Sequence, residues 1–446
     1  MMRFKAILLV LLVVWTAGYA QKTWTLEECI EYALENNIQL KRRQLQSESA
    51  KNNFNQSLLR VLPTLTGFAN HDYNSGRALN YDTYQWENRE FEQGNLGMES
   101  QLNVFSGFQN YNNIQQQRFL LLARLQEVER AKNDISMNIS AAFFQVLLDK
   151  ELAELAEMQA EISSLELESA RSNFAIGNIS RGRVLEIESQ VAADQYQVTM
   201  ARNNLSRSYL DLIQIMQMDP AEDFQVAVPD ISEVEEAPIL QSVDNIYGKA
   251  ESSLPRIKGA EYFLRSAERE LALMRGQQSP RLALRGIFYS RYSELAADPM
   301  DGGNYPYSTQ IKDNQYRQLG ISLTIPIFNG WSTRNRISNA KVSMLDARYQ
   351  LDETKQDLYS EIHQMHNDAM NAYNRYKSAG KAVEAARESF QFAREQFRLG
   401  MINFIEYQNA QSSMFRSQSN MAQAKYEYFL RSMILDFYLG EPFTLK

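Results

Sequence analysis

The chain has 446 residues and a net charge of −8, with 46 Lys and Arg against 54 Asp and Glu, and no concentrated basic face, which excludes nucleic acid as a partner. A single cysteine excludes an intrachain disulfide, and 19 glycines with 10 prolines over this length favour long helices with few turns. After the first twenty residues no apolar stretch reaches the roughly 20 residues of a membrane-spanning helix, so any insertion into lipid must use β-strands in a closed sheet.

Residues 1–20 read as a secretory signal peptide: Arg3 and Lys5, an apolar run from Ala6 to Trp15, then the small-x-small Gly18-Tyr19-Ala20. Cleavage there starts the mature chain near Gln21. Cys29 does not follow the cleavage point, so no lipid anchor is expected and the thiol is expected to pack in a helix.

The remainder is one unit written twice. Phe105, Gly107, Phe174, Gly177 and Ala201 recur 223 residues later as Phe328, Gly330, Phe397, Gly400 and Ala424, and Ala33, Lys41, Ala50 and Pro63 recur 217 residues later as Ala250, Lys258, Ala267 and Pro280. The predicted division is a first repeat over 21–218, a linker over 219–242 and a second repeat over 243–446. In the first repeat a helix runs over 25–61, strands over 62–73 and 94–105, and a long helix over 108–174. Its seven-residue apolar step (Ile114, Leu121, Val128, Ile135, Ala142) marks a coiled-coil seam, interrupted by Lys132, Asp149 and Ser163. Gly177 stops it and a return helix covers 184–218. The second repeat has a helix over 243–277, strands over 280–293 and 315–328, a long helix in the same seven-residue frame, Gly400, and a return helix over 406–439.

The strands alternate. Leu96, Met98, Leu102 and Val104 interleave with Glu99, Gln101 and Asn103; Leu282, Leu284 and Phe288 with Arg281, Arg285 and Arg291; Leu319, Ile321 and Leu323 with Gly320, Ser322 and Thr324. Segments of about ten residues with one apolar face are lipid-facing barrel strands, and Tyr73, Tyr81, Tyr84, Trp86, Phe91, Tyr305, Tyr307 and Tyr316 collect near their ends as an aromatic girdle. Four strands cannot close a barrel. Two copies give eight strands around a filled interior and three give twelve around a channel, wet and lined by Glu99, Gln101, Asn103, Arg281, Arg285 and Arg291.

The sequence resembles the TolC family of outer-membrane efflux proteins over essentially all of the mature chain. The likeness rests on Thr25-Leu26-Glu27-Glu28, Ala33-Leu34, Asn36-Asn37, Leu62-Pro63, Phe105-Ser106-Gly107, Phe328-Asn329-Gly330 and the two Phe-x-x-Gly breaks. It implies a mainly α protein with membrane β: four strands per protomer in a shared 12-stranded trimeric β-barrel, continued by a long antiparallel coiled-coil α-barrel. It also implies an outer-membrane exit duct extending into the periplasm, a homotrimer that docks to a periplasmic adaptor and an inner-membrane transporter. Docking is expected at the helix-turn-helix tips, at Gly177, Asn178, Gly400 and Met401. The family's periplasmic gate carries acidic residues six and nine positions after the second Gly; Glu406 fits and Asn409 departs, while the first-repeat counterpart is Arg183. Pairing of Arg183 with Glu406, within or between protomers, is one expectation for closure and apolar packing near Phe397 and Phe404 the other.

No catalytic residue or cofactor is expected. His363 and His366 stand three apart on a helix, without the acidic or cysteine partners of a recognised metal order. A periplasmic coiled-coil tether without a pore is the competing reading, and it leaves the alternating strands unexplained.

Overall fold

The computed structural model describes residues 23–80, 84–219, 224–229, 241–298, 300, 302–303 and 305–443. The signal peptide, most of the linker and Tyr81 lie outside the described residues. The described residues form two compact units, one within Met1–Leu45, Gln126–Lys258 and Glu353–Lys446, the other Gln46–Leu125 and Gly259–Asp352. Each unit therefore takes segments from both repeats.

In chain order, β1 (Thr23–Trp24) leads into α1 (Leu26–Asn36) and α2 (Ile38–Leu59), then β2 (Thr64–Asn80), β3 (Gln85–Phe105), α3 (Gln109–Ala175), α4 (Arg181–Met216) and β4 (Gln225–Val226). The second repeat gives α5 (Val243–Ser253), α6 (Pro255–Gly276), β5 (Arg281–Ser293), the short α7 (Tyr307–Asp313), β6 (Tyr316–Thr324), α8 (Ser332–Arg398) and α9 (Phe404–Tyr438). No described helix is long and apolar enough to cross a membrane.

The single helices predicted over 25–61 and 243–277 are each two. Asn37 ends α1, and its side-chain oxygen accepts from the amides of Gln39 and Leu40 to start α2; at the equivalent position Leu254 precedes Pro255, which disfavours helical backbone before it and opens α6. A capping box between Thr25 and Glu28 starts α1, beside the buried thiol of Cys29. β1 pairs in parallel with β4, a strand in the predicted linker that two residues are too few to signal.

The second unit holds an antiparallel sheet in the order β2-β3-β5-β6, leaving β2 and β6 as edges. The first hairpin outruns its predicted bounds, pairing from Thr64↔Gln101 to Asn80↔Gln85. Its distal part has polar side chains on both faces, so no two-residue period announces it. β6 is shorter than predicted: its ladder with β5 ends at Arg281↔Thr324, and residues 325–328 have no strand partner among the described residues. The strand-to-helix corners repeat in backbone detail. Gly107 and Phe108 have φ of 61° and 59°, and 223 residues later Gly330 and Trp331 have 62° and 68°.

The first unit buries the coiled-coil seam. Val128, Ile135, Ile139 and Val146 of α3 pack with Leu212 and Met216 of α4 and with Tyr426 and Met433 of α9. A second cluster near the chain reversals joins Leu167 and Ala170 (α3), Val184, Ile187 and Val191 (α4), Phe390 (α8), and Phe404 and Tyr407 (α9).

Candidate functional site

Strand register settles the faces of the sheet. Leu102 lies opposite Leu284, Met98 opposite Phe288, Leu284 opposite Ile321 and Leu282 opposite Leu323, so the apolar residues of three strands share one face, joined from β2 by Leu65 and Ala69. Leu65, Met98, Leu319, Ile321 and Leu323 are exposed in the single chain. The other face carries all six predicted lumen residues. Gln101 lies opposite Arg285, Asn103 opposite Ala283, Arg281 opposite Thr324 and Arg291 opposite Asn95; Glu99 accepts from Arg285 Nε at 2.6 Å.

Both tips are built alike. At the first, the amide of Gly177 donates to Phe174 O (2.9 Å) and that of Asn178 to Asn173 O (2.9 Å); at the second, Gly400 donates to Phe397 O (3.0 Å) and Met401 to Gln396 O (2.8 Å). These are paired Schellman bonds, which need the positive φ of 81° and 74° that the glycines supply. Ser180 then caps α4 through the amide of Arg183, and Asn403 caps α9 through the amide of Glu406. Gly177, Asn178, Gly400 and Met401 are all exposed.

Beneath the tips the two helix pairs meet through aromatic rings. The guanidinium of Arg183 stands 4.4 Å from the ring centroid of Phe404 and 5.2 Å from that of Phe397, with the side chain only 23% exposed. Phe397 stacks on Tyr407 (4.8 Å, 13°), and the Tyr407 hydroxyl donates to Glu166 of α3. A polar layer adjoins this one. Asp194 is 3% exposed; its Oδ1 accepts from Gln159 and Gln190 (2.9 Å each), while Oδ2 has no hydrogen-bond partner.

Residues 29–216 and 246–441 match the family of outer membrane efflux proteins. The chain belongs to that family. It is similar to the alkaline protease secretion protein AprF of Pseudomonas aeruginosa, 21% identical over 92% of this chain and 82% of the relative. The outer membrane efflux protein BepC of Brucella suis is 21% identical over 84% of this chain and 76% of its own length. Among solved structures, the CmeC outer membrane channel of Campylobacter jejuni superposes with a TM-score of 0.80 at 16% identity, covering 94% of this chain and 87% of that one. As an outer membrane efflux protein the chain is an exit duct in the outer membrane, and its fold is helical with a β domain. A tether without a pore would have no use for the exposed apolar sheet face.

Within one chain of this efflux protein Arg183 and Glu406 are not paired. Arg183 contacts Glu186 at 3.5 Å besides the two rings, and Glu406 accepts from the side-chain nitrogen of Asn403 at 2.8 Å, because the cap holds it on its own helix. Asn409 is exposed. His363 shares a hydrogen bond with Asn367 (3.2 Å), and no group of three or more His, Cys, Asp or Glu able to hold a metal occurs among the described residues. Asp194, Glu166, Gln190 and Tyr407 escaped the sequence reading. The one available signal was Ser163, a polar break in the seam that is 1% exposed, its hydroxyl donating to Ala160 O.

Burial raises the carboxyls of both Asp194 and Glu166 above their ordinary range, and the charge of Asp194 raises Glu166 further; the Tyr407 hydroxyl bond opposes this at Glu166. Arg394 of α8 is the facing cation, acting at Tyr407. A carboxyl raised in the folded state favours folding below the ordinary carboxylate range and loses that contribution as pH rises through its folded value. Asp194→Asn should therefore raise the melting temperature at pH 8 and leave it nearly unchanged at pH 4, flattening the profile. Parallel pH profiles for the two proteins would show that Asp194 is not the group responsible.

Proposed function

We propose that three copies join their sheets into one 12-stranded barrel and conduct exported material passively, receiving it from a periplasmic adaptor and an inner-membrane transporter and doing no chemistry on it. The observation that carries this is the four-stranded sheet with one exposed apolar face, one polar face and both edges unpaired. In lipid an unpaired edge is not tolerated, since every backbone polar group must find a partner away from water; closure by further copies removes the edges. Twelve strands leave a lumen and eight leave none. Glu99, Gln101, Asn103, Arg281, Arg285 and Arg291 then line the lumen. The exposed tips at Gly177, Asn178, Gly400 and Met401 meet the adaptor, and Arg183, Phe397, Glu406 and Asn409 stand at the periplasmic mouth.

Outer-membrane fractions run on a denaturing gel without boiling should show a trimer that heat converts to monomer, and Gly177→Val or Gly400→Val should abolish export while trimers persist. A membrane-inserted monomer refutes the barrel. Normal export by both tip variants moves the docking surface elsewhere.

A further inference from the structure

Three aromatic rings stand on the polar face of the sheet, where lipid has no use for them. We propose that Phe68, Tyr289 and Tyr316, with Arg291 beside them, form a binding site in the lumen for aromatic anions, a flat ring lying on the aromatic row and its carboxylate on the guanidinium. The site rests on the three-copy duct, since only a closed barrel turns the polar face into a lumen, and it adds the class of solute that the duct holds in passing.

Strand register places the rings. Phe68 lies opposite Gly97 of β3, Gly97 opposite Tyr289 of β5 and Tyr289 opposite Tyr316 of β6, so one row crosses all four strands. Side chains alternate along a strand, and Gly97 is in phase with Glu99 and Gln101 while Tyr289 is in phase with Arg285 and Arg291. The row therefore belongs to the polar face. Tyr316 is one of the residues expected in the lipid-side girdle, and its pairing with Tyr289 puts it on the opposite face. A girdle anchors a protein to headgroups and does not account for it there.

Gly97 keeps the row free of a polar gap. A Cβ at this position would lie 2.4 Å from Phe288 O and 2.6 Å from Tyr289 Cβ, so Tyr289 already fills the space. The rings of Tyr289 and Tyr316 follow at 5.1 Å between centroids. Covering Gly97 gives Tyr289 a structural reason. It gives none to Phe68, across the glycine, or to Tyr316, which is 45% exposed. Apolar surface gathered on a face that meets water marks a place where something binds.

Charge decides what binds. Arg281, Arg285 and Arg291 project from β5 against one acid in the facing stretch of β3, Glu99, and Arg285 takes that acid at 2.6 Å. Asp72 lies one row beyond Arg291, on β2 and opposite Gln93. Arg291 makes no ion pair with a described residue. Its guanidinium donates to the Tyr289 hydroxyl at 3.2 Å and stands 5.9 Å from the centroid of that ring, which holds it at the edge of the row. A guanidinium has five N–H donors, and those left over suit a carboxylate. An aliphatic anion meets the arginine alone, and an aromatic cation meets the rings against the charge. Only a solute with both features uses both, and in a duct its binding must stay weak enough for release.

Block of ion current in planar bilayers tests the site, with full-length trimers and 2-naphthoate as the probe. The salt is about 0.1 M potassium chloride, which screens charges beyond about 10 Å. Added to both sides, 2-naphthoate should block reversibly at a concentration roughly three- to tenfold below that of cyclohexanecarboxylate, and 2-naphthylmethylammonium should not block. Tyr316→Ser, Phe68→Ser and Arg291→Gln should each raise the half-blocking concentration of 2-naphthoate roughly three- to tenfold, measured against each variant's own unblocked current. Tyr316→Phe, which keeps the ring, should return it to the wild-type value. Phe68 and Tyr316 are on different strands, so the result does not hang on the assembly of one variant. Equal block by 2-naphthoate and cyclohexanecarboxylate overturns the site and leaves the duct standing, as does block that neither serine variant changes in conducting trimers. Trimers that carry no current overturn the duct and the site together.

Discussion

Leu323→Arg is expected to abolish the heat-sensitive trimer, and Ser322→Arg to leave it intact. The two residues are neighbours on β6 with side chains on opposite faces, Leu323 across from Leu282 and Ser322 across from Ala283. Arginine on the lipid face of a barrel costs roughly 2 to 4 kcal/mol near the midplane and little near the interfaces. Three copies triple that cost, to about 6 to 12 kcal/mol, which is comparable to the whole stability of an ordinary domain. At Ser322 the same guanidinium joins a face that already holds Arg281 and Arg285. The readout is the unboiled gel from outer-membrane fractions. Equal yields of trimer would mean that the apolar face does not meet lipid.

The sheet was legible because its two faces meet different surroundings over residues 94–105 and 315–324, so hydrophobicity takes the period of the strand. Where both faces are polar, as in the distal hairpin at Asp72 to Arg77, that signal is absent and the strand continues unseen. The helix reversals were legible because Gly177 and Gly400 supply a backbone conformation that other residues resist. Breaks made by side-chain caps were harder. Asn37 looks like any polar residue on a helix until its oxygen is seen to accept from the amides of Gln39 and Leu40. The layer beneath the tips was the least legible part. Arg183 and Glu406 occupy matching positions in the repeats and opposite charge suggested a pair, yet within one chain the guanidinium, more weakly hydrated than an ammonium, lies on aromatic faces. The burial of Phe404, and with it the ring surface offered to Arg183, follows from the packing of four helices and is not contained in any local pattern.

Arg183→Glu is expected to raise resting conductance in planar bilayers at least tenfold, and adding Glu406→Arg should not restore the closed state. The argument starts from the contacts of Arg183, whose guanidinium reaches from α4 onto Phe397 at the end of α8 and Phe404 at the start of α9. Through Phe397 and Tyr407 the contact continues to Glu166 on α3, so one cation ties the α3–α4 pair to the α8–α9 pair. A desolvated cation–π contact is worth up to about 2 kcal/mol, and a carboxylate in its place faces the negative side of both rings. Over three copies the loss is roughly 3 to 6 kcal/mol, and each 1.4 kcal/mol is about a tenfold change in an equilibrium. Glu406 takes no part in this contact: its carboxylate is held by Asn403 and its amide by the same side chain. Arg183→Lys, which keeps the charge and loses the planar face, should conduct between wild type and Arg183→Glu, and Phe404→Leu should open the mouth without any change of charge. Closure regained by the Arg183→Glu, Glu406→Arg double variant would overturn the aromatic latch, because it would show that the two charges meet between protomers and that their attraction, not the rings, holds the mouth.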